Sequence, residues 1–353
     1  MGGVADPIDL GVAVATARRL MPAGPALSPS EAAEAVEELR TLAVAAEGHV
    51  REFTGLAAGE TPPPATVVDR PTWVAGNVEG FQHLLAPLLD KLAAKQAQQR
   101  PANAVGALTG KVAGAQVGVV LAFLGTKVLG QYEPFVDPPR LTLVAPNIVD
   151  AERSLEVDPH DFRLWVCLHE STHRTQFTAV PWMREHMERE IAGFIAAADL
   201  DPAQVSERLR AMVSAAARAA RGGERASLLD VITTPEQRAA LARLTALMTL
   251  LEGHAEYVMD EVGPEVVPSV AQIRERFNTK RRAGGGGIDR LLRKLLQLDL
   301  KMKQYLEGRK FVDEVVRLAG QDGFNIVWES PDHLPTTAEI ADPKAWVTRV
   351  LAS

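Results

Sequence analysis

One cysteine in 353 residues, Cys167, excludes an intrachain disulfide and any cysteine-rich metal cluster. Such cysteine usage suits a reducing compartment, and the chain is expected in the cytoplasm. No basic segment precedes an apolar one at Met1-Gly2-Gly3-Val4-Ala5-Asp6, and the short apolar piece Leu10 to Ala17 ends in Arg18-Arg19, which is not the pattern of a secretory leader. Asp6 also stands where a myristoylation signal carries Ser or Thr. Positive charge is scarce: 38 Lys and Arg against 45 Asp and Glu give a net charge of -7, so no nucleic-acid partner is expected, the triplet Lys280-Arg281-Arg282 being one small basic spot. A clean membrane-length apolar run is missing too. Val112 to Gly130 comes nearest, with Gly106, Gly110, Gly114 and Gly118 recurring every fourth residue, but Lys111, Gln116 and Lys127 flank or interrupt it. A buried helix in the core, with no membrane partner, is the expectation.

What is present is enough apolar residue, 46% of the chain, to bury a large core. Ser28 and Glu31 form a capping-box pattern that opens a helix running to about Glu47, and after the break at Thr61-Pro62-Pro63-Pro64 a second amphipathic stretch runs from Trp73 to Lys95. Trp73 reads as a packing residue. Asp137-Pro138-Pro139 marks a turn, and Arg140 to Val144 is the best strand candidate, expected to be either a sheet edge where an extended peptide can add or a structural extended linker. From Trp182 onward the pattern is almost continuously helical, punctuated by Pro202, Pro235, Pro264, the Gly284 to Gly287 tract read as a connector, and Gly320; Asp342-Pro343 opens a last short helix. The expected class is mainly α with a small β-sheet, an α+β fold. Residues 1–135 are expected to form a mostly helical part packed on a metal-binding part at 136–353, or the two to be one continuous domain.

The chemistry is concentrated in His169-Glu170-Ser171-Thr172-His173. Residues four apart share a helix face, so both imidazoles can reach one metal ion while Glu170 leans over the adjacent surface as a general base for a metal-bound water. Asp158 followed by Pro159 supplies the N-cap and first-turn proline of that helix, and the apolar run Leu164 to Leu168 says that it is buried. Cys167 lies about 200 degrees around the helix from His169, so it reads as a small core residue. A catalytic zinc takes three protein ligands and keeps one open position, so a third donor is required. Leu251-Glu252-Gly253-His254-Ala255-Glu256-Tyr257, on a helix opened by Thr234-Pro235, offers a carboxylate.

With that second helix the chain resembles the gluzincin branch of zinc metallopeptidases, in which a His-Glu-x-x-His helix is followed by one carrying Glu-Gly-x-Ala-x-Tyr. It is also similar to a little-characterised bacterial family of zincin-like hydrolases, some labelled as associated with deazaflavin cofactor biosynthesis; Leu129-Gly130-Gln131-Tyr132 and Leu143-Val144-Ala145-Pro146-Asn147 carry that wider likeness. The resemblance implies a zincin-like core, Zn2+ held by His169, His173 and Glu252, and Glu170 as the catalytic residue that takes a proton from water and gives it to the leaving amine. His254 departs from the gluzincin pattern, and three roles stay open for it: transition-state donor, alternative ligand, or core histidine. Glu256, one turn beyond Glu252, is either a carboxylate that holds a ligand histidine by its second ring nitrogen or a solvated helix charge. Tyr257 and Tyr305 are phenols that can stabilise an oxyanion.

The expected function is therefore a zinc-dependent hydrolase, a metallopeptidase whose substrate is a peptide or other amide. The alternative is a non-catalytic zinc-stabilised or ligand-binding protein that keeps the scaffold. No nucleotide-binding glycine fingerprint is present. Oligomeric state is not legible in the sequence.

Overall fold

The computed structural model describes residues 8–57, 62–80, 82, 86, 104–196, 234–283 and 298–351. The Gly284 to Gly287 tract, Pro202 and most of the second half of the stretch expected from Trp73 to Lys95 lie outside them.

Capping chemistry decides where the helices begin. Helix α1 (Leu10–Leu20) starts where the Asp9 carboxylate accepts from Val12 N at 2.9 Å. Helix α2 (Pro29–Thr54) opens with the Ser28/Glu31 capping box and ends at Gly55, whose φ of 69° is the left-handed conformation that suits a residue without Cβ. It runs two turns past Glu47, because Val50 and Thr54 continue the buried stripe of Leu39, Leu42, Ala43 and Ala46. Strand β1 (Thr66–Val68) leads into a helix over 70–80, α3, on which Trp73 and Val74 are buried.

Helix α4 (Ala104–Leu124) carries the glycine ladder. A Cβ at Gly114 would strike Asp9 O and one at Gly118 would lie 2.6 Å from Ala13 O, so these glycines let α4 lie directly on α1. The expected buried helix is buried on one side only. Close packing is confined to the glycine face, and Val112 and Val119 on the other side are exposed. Among the described residues no helix is long and apolar enough to cross a membrane.

Strands β2 (Gly130–Glu133) and β3 (Arg140–Val144) complete a three-stranded sheet of order β1-β3-β2, with β1 parallel and β2 antiparallel to β3. The expected edge strand β3 is thus the central one. Its Leu141, Thr142, Leu143 and Val144 are all buried, as an interior strand requires, while the weakly patterned Gly-Gln-Tyr-Glu segment forms the edge. Helices α5 (Ala145–Leu155), α6 (Pro159–Thr178) and α7 (Met183–Ala196) follow. Helix α8 (Pro235–Glu261) is opened by a Thr234/Gln237 capping box, and α9 (Val270–Ala283) and α10 (Leu298–Asn325) come after it, α10 being kinked at Gly320, where φ is 75°. Two short 3-10 turns, then α11 (Thr337–Ala341) and α12 (Pro343–Leu351), finish the chain.

The main core gathers Leu39, Phe162, Leu168, Leu250, Phe311 and Trp346 from α2, α6, α8, α10 and α12. A smaller cluster joins Ala17, Trp73, Leu121 and Val144. Helices α6 and α8 pack against each other in the main core, and β2 lies along α6. The mainly helical fold with one small sheet agrees with the sequence expectation.

Candidate metal centre

Helix α6 begins where Asp158 accepts from Asp161 N at 3.0 Å with Pro159 in the first turn, and it carries His169 and His173 three turns into the core. Between them, Thr172 Oγ1 donates to Leu168 O at 2.8 Å, so burial of that hydroxyl costs little. Cys167 is wholly buried against α2, and burial pushes its thiol far up, which makes it an inert core residue.

Glu252 reaches the two histidines from α8. His169 Nε2 and His173 Nε2 are 3.2 Å apart, and Glu252 Oε2 lies 3.6 Å from the first and 3.4 Å from the second. Four-coordinate zinc with bonds near 2.1 Å separates its donors by about 3.4 Å, so these three atoms already stand at the spacing of one face of such a site. Glu252 Oε2 is buried and accepts no hydrogen bond. Two imidazole nitrogens and a carboxylate oxygen are also the donor types that zinc prefers. On each count the residues present fit the ion, and among the described residues they are the group of three that could hold one.

Electrostatics favour a cation at the same point. Burial disfavours charge on His173, yet the adjacent Glu252 carboxylate outweighs it and pushes the pKa up to about 9. Burial likewise opposes ionisation of Glu252, but His173 and His169 hold it well below the usual carboxylate range. Glu170, packed beside them, is pushed up by burial, with Glu252 adding in the same direction and the two histidines opposing.

Glu170 is held against the edge strand. A Cβ at residue 130 would sit 2.7 Å from Glu170 Cγ, so only glycine lets the strand pass this close to the carboxylate. Two residues on, Tyr132 faces the same helix and meets the Phe177 ring at 5.7 Å. Val144 N donates to Leu129 O at 2.8 Å, and from that hydrogen-bonded pair the antiparallel alternation turns the backbone groups of Gly130 and Tyr132 away from β3. The motif therefore lies beside an edge whose N–H and C=O groups face outward.

These residues open onto a cavity of about 700 Å3. Phe123, Phe135, Phe177, Met187, Met248 and Phe277 make much of its wall, with His169, Glu170, His173 and Glu252 at one side.

Other expected site residues fall elsewhere. His254 is fully buried, stacked 5.2 Å from the Phe324 ring and tilted 5.2 Å from that of Trp328, and burial pushes its pKa down to about 3. Its ring belongs to the aromatic packing of the core and is not among the residues that line the cavity. Glu256 lines the cavity with its Oε2 3.5 Å from Arg274 Nη1, while His169 Nδ1 has no hydrogen-bond partner and His173 Nδ1 is 3.0 Å from Gln176 Oε1. Tyr257 packs into the core under Arg309, whose guanidinium is 4.9 Å from the ring, and the side chain of Tyr305 lies outside the described ones. Among the described residues the phenol that lines the cavity is Tyr132, which sequence reasoning passed over as a phenol together with Gln176. Position was the available signal for both: Gln176 is one turn beyond His173, and Tyr132 is two residues from Gly130.

The profile of the zincin-like metallopeptidase family matches residues 8–347. No curated protein matches. A crystal structure from Chloroflexus aurantiacus, described as a "putative hydrolase with a novel fold", is similar over 98% of this chain and 99% of that one, at 28% identity and a TM-score of 0.72. A likeness that runs through both helices bearing the donors and through the edge strand beside them is a likeness of the whole fold, and the chain belongs to the zincin-like metallopeptidase family.

Proposed function

We propose that this protein is a zinc-dependent hydrolase of amide bonds, acting as a peptidase, with His169, His173 and Glu252 as the metal ligands and Glu170 as the general base. The observation that carries the reading is the convergence of two imidazole nitrogens and one carboxylate oxygen within 3.2–3.6 Å, beside a buried carboxylate that is not among the three. A zinc ion bound by these donors supplies Lewis acidity, polarising a carbonyl and making water nucleophilic near neutral pH.

The chain's own groups do the rest. Glu170 takes the proton from the attacking water and returns it to the leaving amine. Its burial raises its basicity above that of an exposed carboxylate, which suits a base working near neutrality. The outward N–H and C=O groups of Gly130 and Tyr132 hold an extended substrate backbone against the edge of β2, so that the scissile bond lies over α6. Aromatic and methionine side chains of the cavity take up apolar substrate side chains, each worth about 1.5–3 kcal/mol when fully buried. A purely structural metal site needs no general base, so Glu170 argues against a scaffold role.

Elemental analysis of purified protein tests the metal assignment. About one zinc per chain in the wild type, sharply reduced in Glu252→Ala, is the expected result. Zinc retained at wild-type level in that variant would contradict Glu252 as a ligand, and wild type that takes up no zinc when supplemented would contradict the hydrolase reading altogether.

A further inference from the structure

Gln176 is fully buried one turn beyond His173, and its side-chain amide touches both helices of the site. Its Oε1 lies 3.0 Å from His173 Nδ1. Its Nε2 donates to Leu251 O at 2.9 Å, the carbonyl of the residue before Glu252, and lies 3.1 Å from His254 Nδ1. The Leu251 carbonyl can only accept, which fixes Nε2 on that side, and His254 Nδ1 opposite the same nitrogen then offers its lone pair to the second hydrogen. Turning the amide over would set its oxygen against the Leu251 carbonyl, which can only accept. The orientation is therefore determined from the α8 side, and Oε1 is left to accept from His173.

We infer that Gln176 is a positioning residue: it keeps the His173 proton on Nδ1, aims the Nε2 lone pair at His169 and Glu252, and ties the two ligand-bearing helices together. A histidine that binds a metal through one nitrogen commonly gives its other N–H to an outer acceptor, which fixes tautomer and ring orientation. Glu256 was the sequence candidate for that task, and Gln176 performs it. His254 accordingly acts at one remove, taking the second hydrogen of the same amide nitrogen at Nδ1. This inference rests on the proposed metal site.

Zinc affinity separates positioning from plain structural support. Gln176→Leu removes the acceptor for His173 and the donors for Leu251 and His254; Gln176→Glu restores the acceptor but not the donors. Both variants remove the amide donor that links α6 to Leu251 O on α8, so both should melt below wild type in the zinc-free form. Their zinc affinities should diverge: a loss of about 10–100-fold for Gln176→Leu, the range found when outer partners of metal-bound histidines are removed, and a loss of only a few-fold for Gln176→Glu. Equal losses in the two variants, or Gln176→Leu within about threefold of wild type, would overturn the inference. Should Gln176→Leu not fold, nitrogen-15 NMR of the histidines in zinc-loaded wild type decides: a proton on His173 Nδ1 supports the inference, and a proton on neither nitrogen or on Nε2 overturns it. Wild type that binds no zinc, or a His173→Ala variant that binds it as tightly as wild type, would instead sink the metal site itself and the inference with it.

Discussion

At the residue scale, the position of Glu170 depends on what its neighbour on β2 lacks. Gly130 admits the carboxylate because it has no Cβ, and an added methyl would come within 2.7 Å of Cγ and 2.9 Å of Cδ. Gly130→Ala should therefore displace the base while leaving the three donors alone. We expect a fall in turnover of about 100-fold, the cost of a misplacement near 1 Å, with zinc content unchanged. Full activity in that variant would mean that the base has room the packing does not suggest. The motif residues were legible in sequence because their relation is local: spacing on one helix brings His169 and His173 together, and a Glu-Gly pattern on a second helix marks Glu252. Gln176 and Tyr132 were not, since the partners of Gln176 on α8 are 75 and 78 residues away and nothing in the order of the chain says that the amide meets them.

At the element scale, the glycine that follows Glu252 sets how closely α8 can approach α10. Gly253 and Gly308 meet at the crossing, where a Cβ on Gly253 would run into the Gly308 backbone and a Cβ on Gly308 would come within 3.1 Å of Gly253 Cα. Gly253→Ala should force the helices apart and cost roughly 1–3 kcal/mol, as overpacking does, read as a lower midpoint in a denaturant melt. An unchanged midpoint would show that the crossing can relax at little cost. Helix boundaries were largely readable because caps are chemical: Ser28, Asp158 and Thr234 each stand where the structure places an N-cap. Sheet order was not. The alternation of a five-residue strand identifies β3, but only the partners on both sides make it central, and the short β2 has too little pattern to announce itself. The α4 ladder likewise named a close contact without saying that one face alone would be covered.

At the scale of the whole molecule, the proposed metal joins α6 to α8, two helices that pack against each other in the main core, so ligand and fold should be coupled. An ion that binds only the native state stabilises it by about 4 kcal/mol when free zinc is a thousandfold above its dissociation constant. Chelation should lower the melting temperature of wild type and added zinc restore it, whereas Glu252→Ala should melt at the same temperature with and without zinc; a zinc-independent wild type would contradict the coupling. The central claim, that this centre hydrolyses amides through Glu170, calls for a comparison at matched metal content. Zinc-loaded wild type and Glu170→Gln should be assayed side by side on a peptide library rich in apolar residues. The account expects cleavage by wild type and a loss of about 100- to 10,000-fold in the variant, the usual contribution of a general base, with the same zinc per chain in both. Equal cleavage by the two proteins at equal zinc content would contradict it.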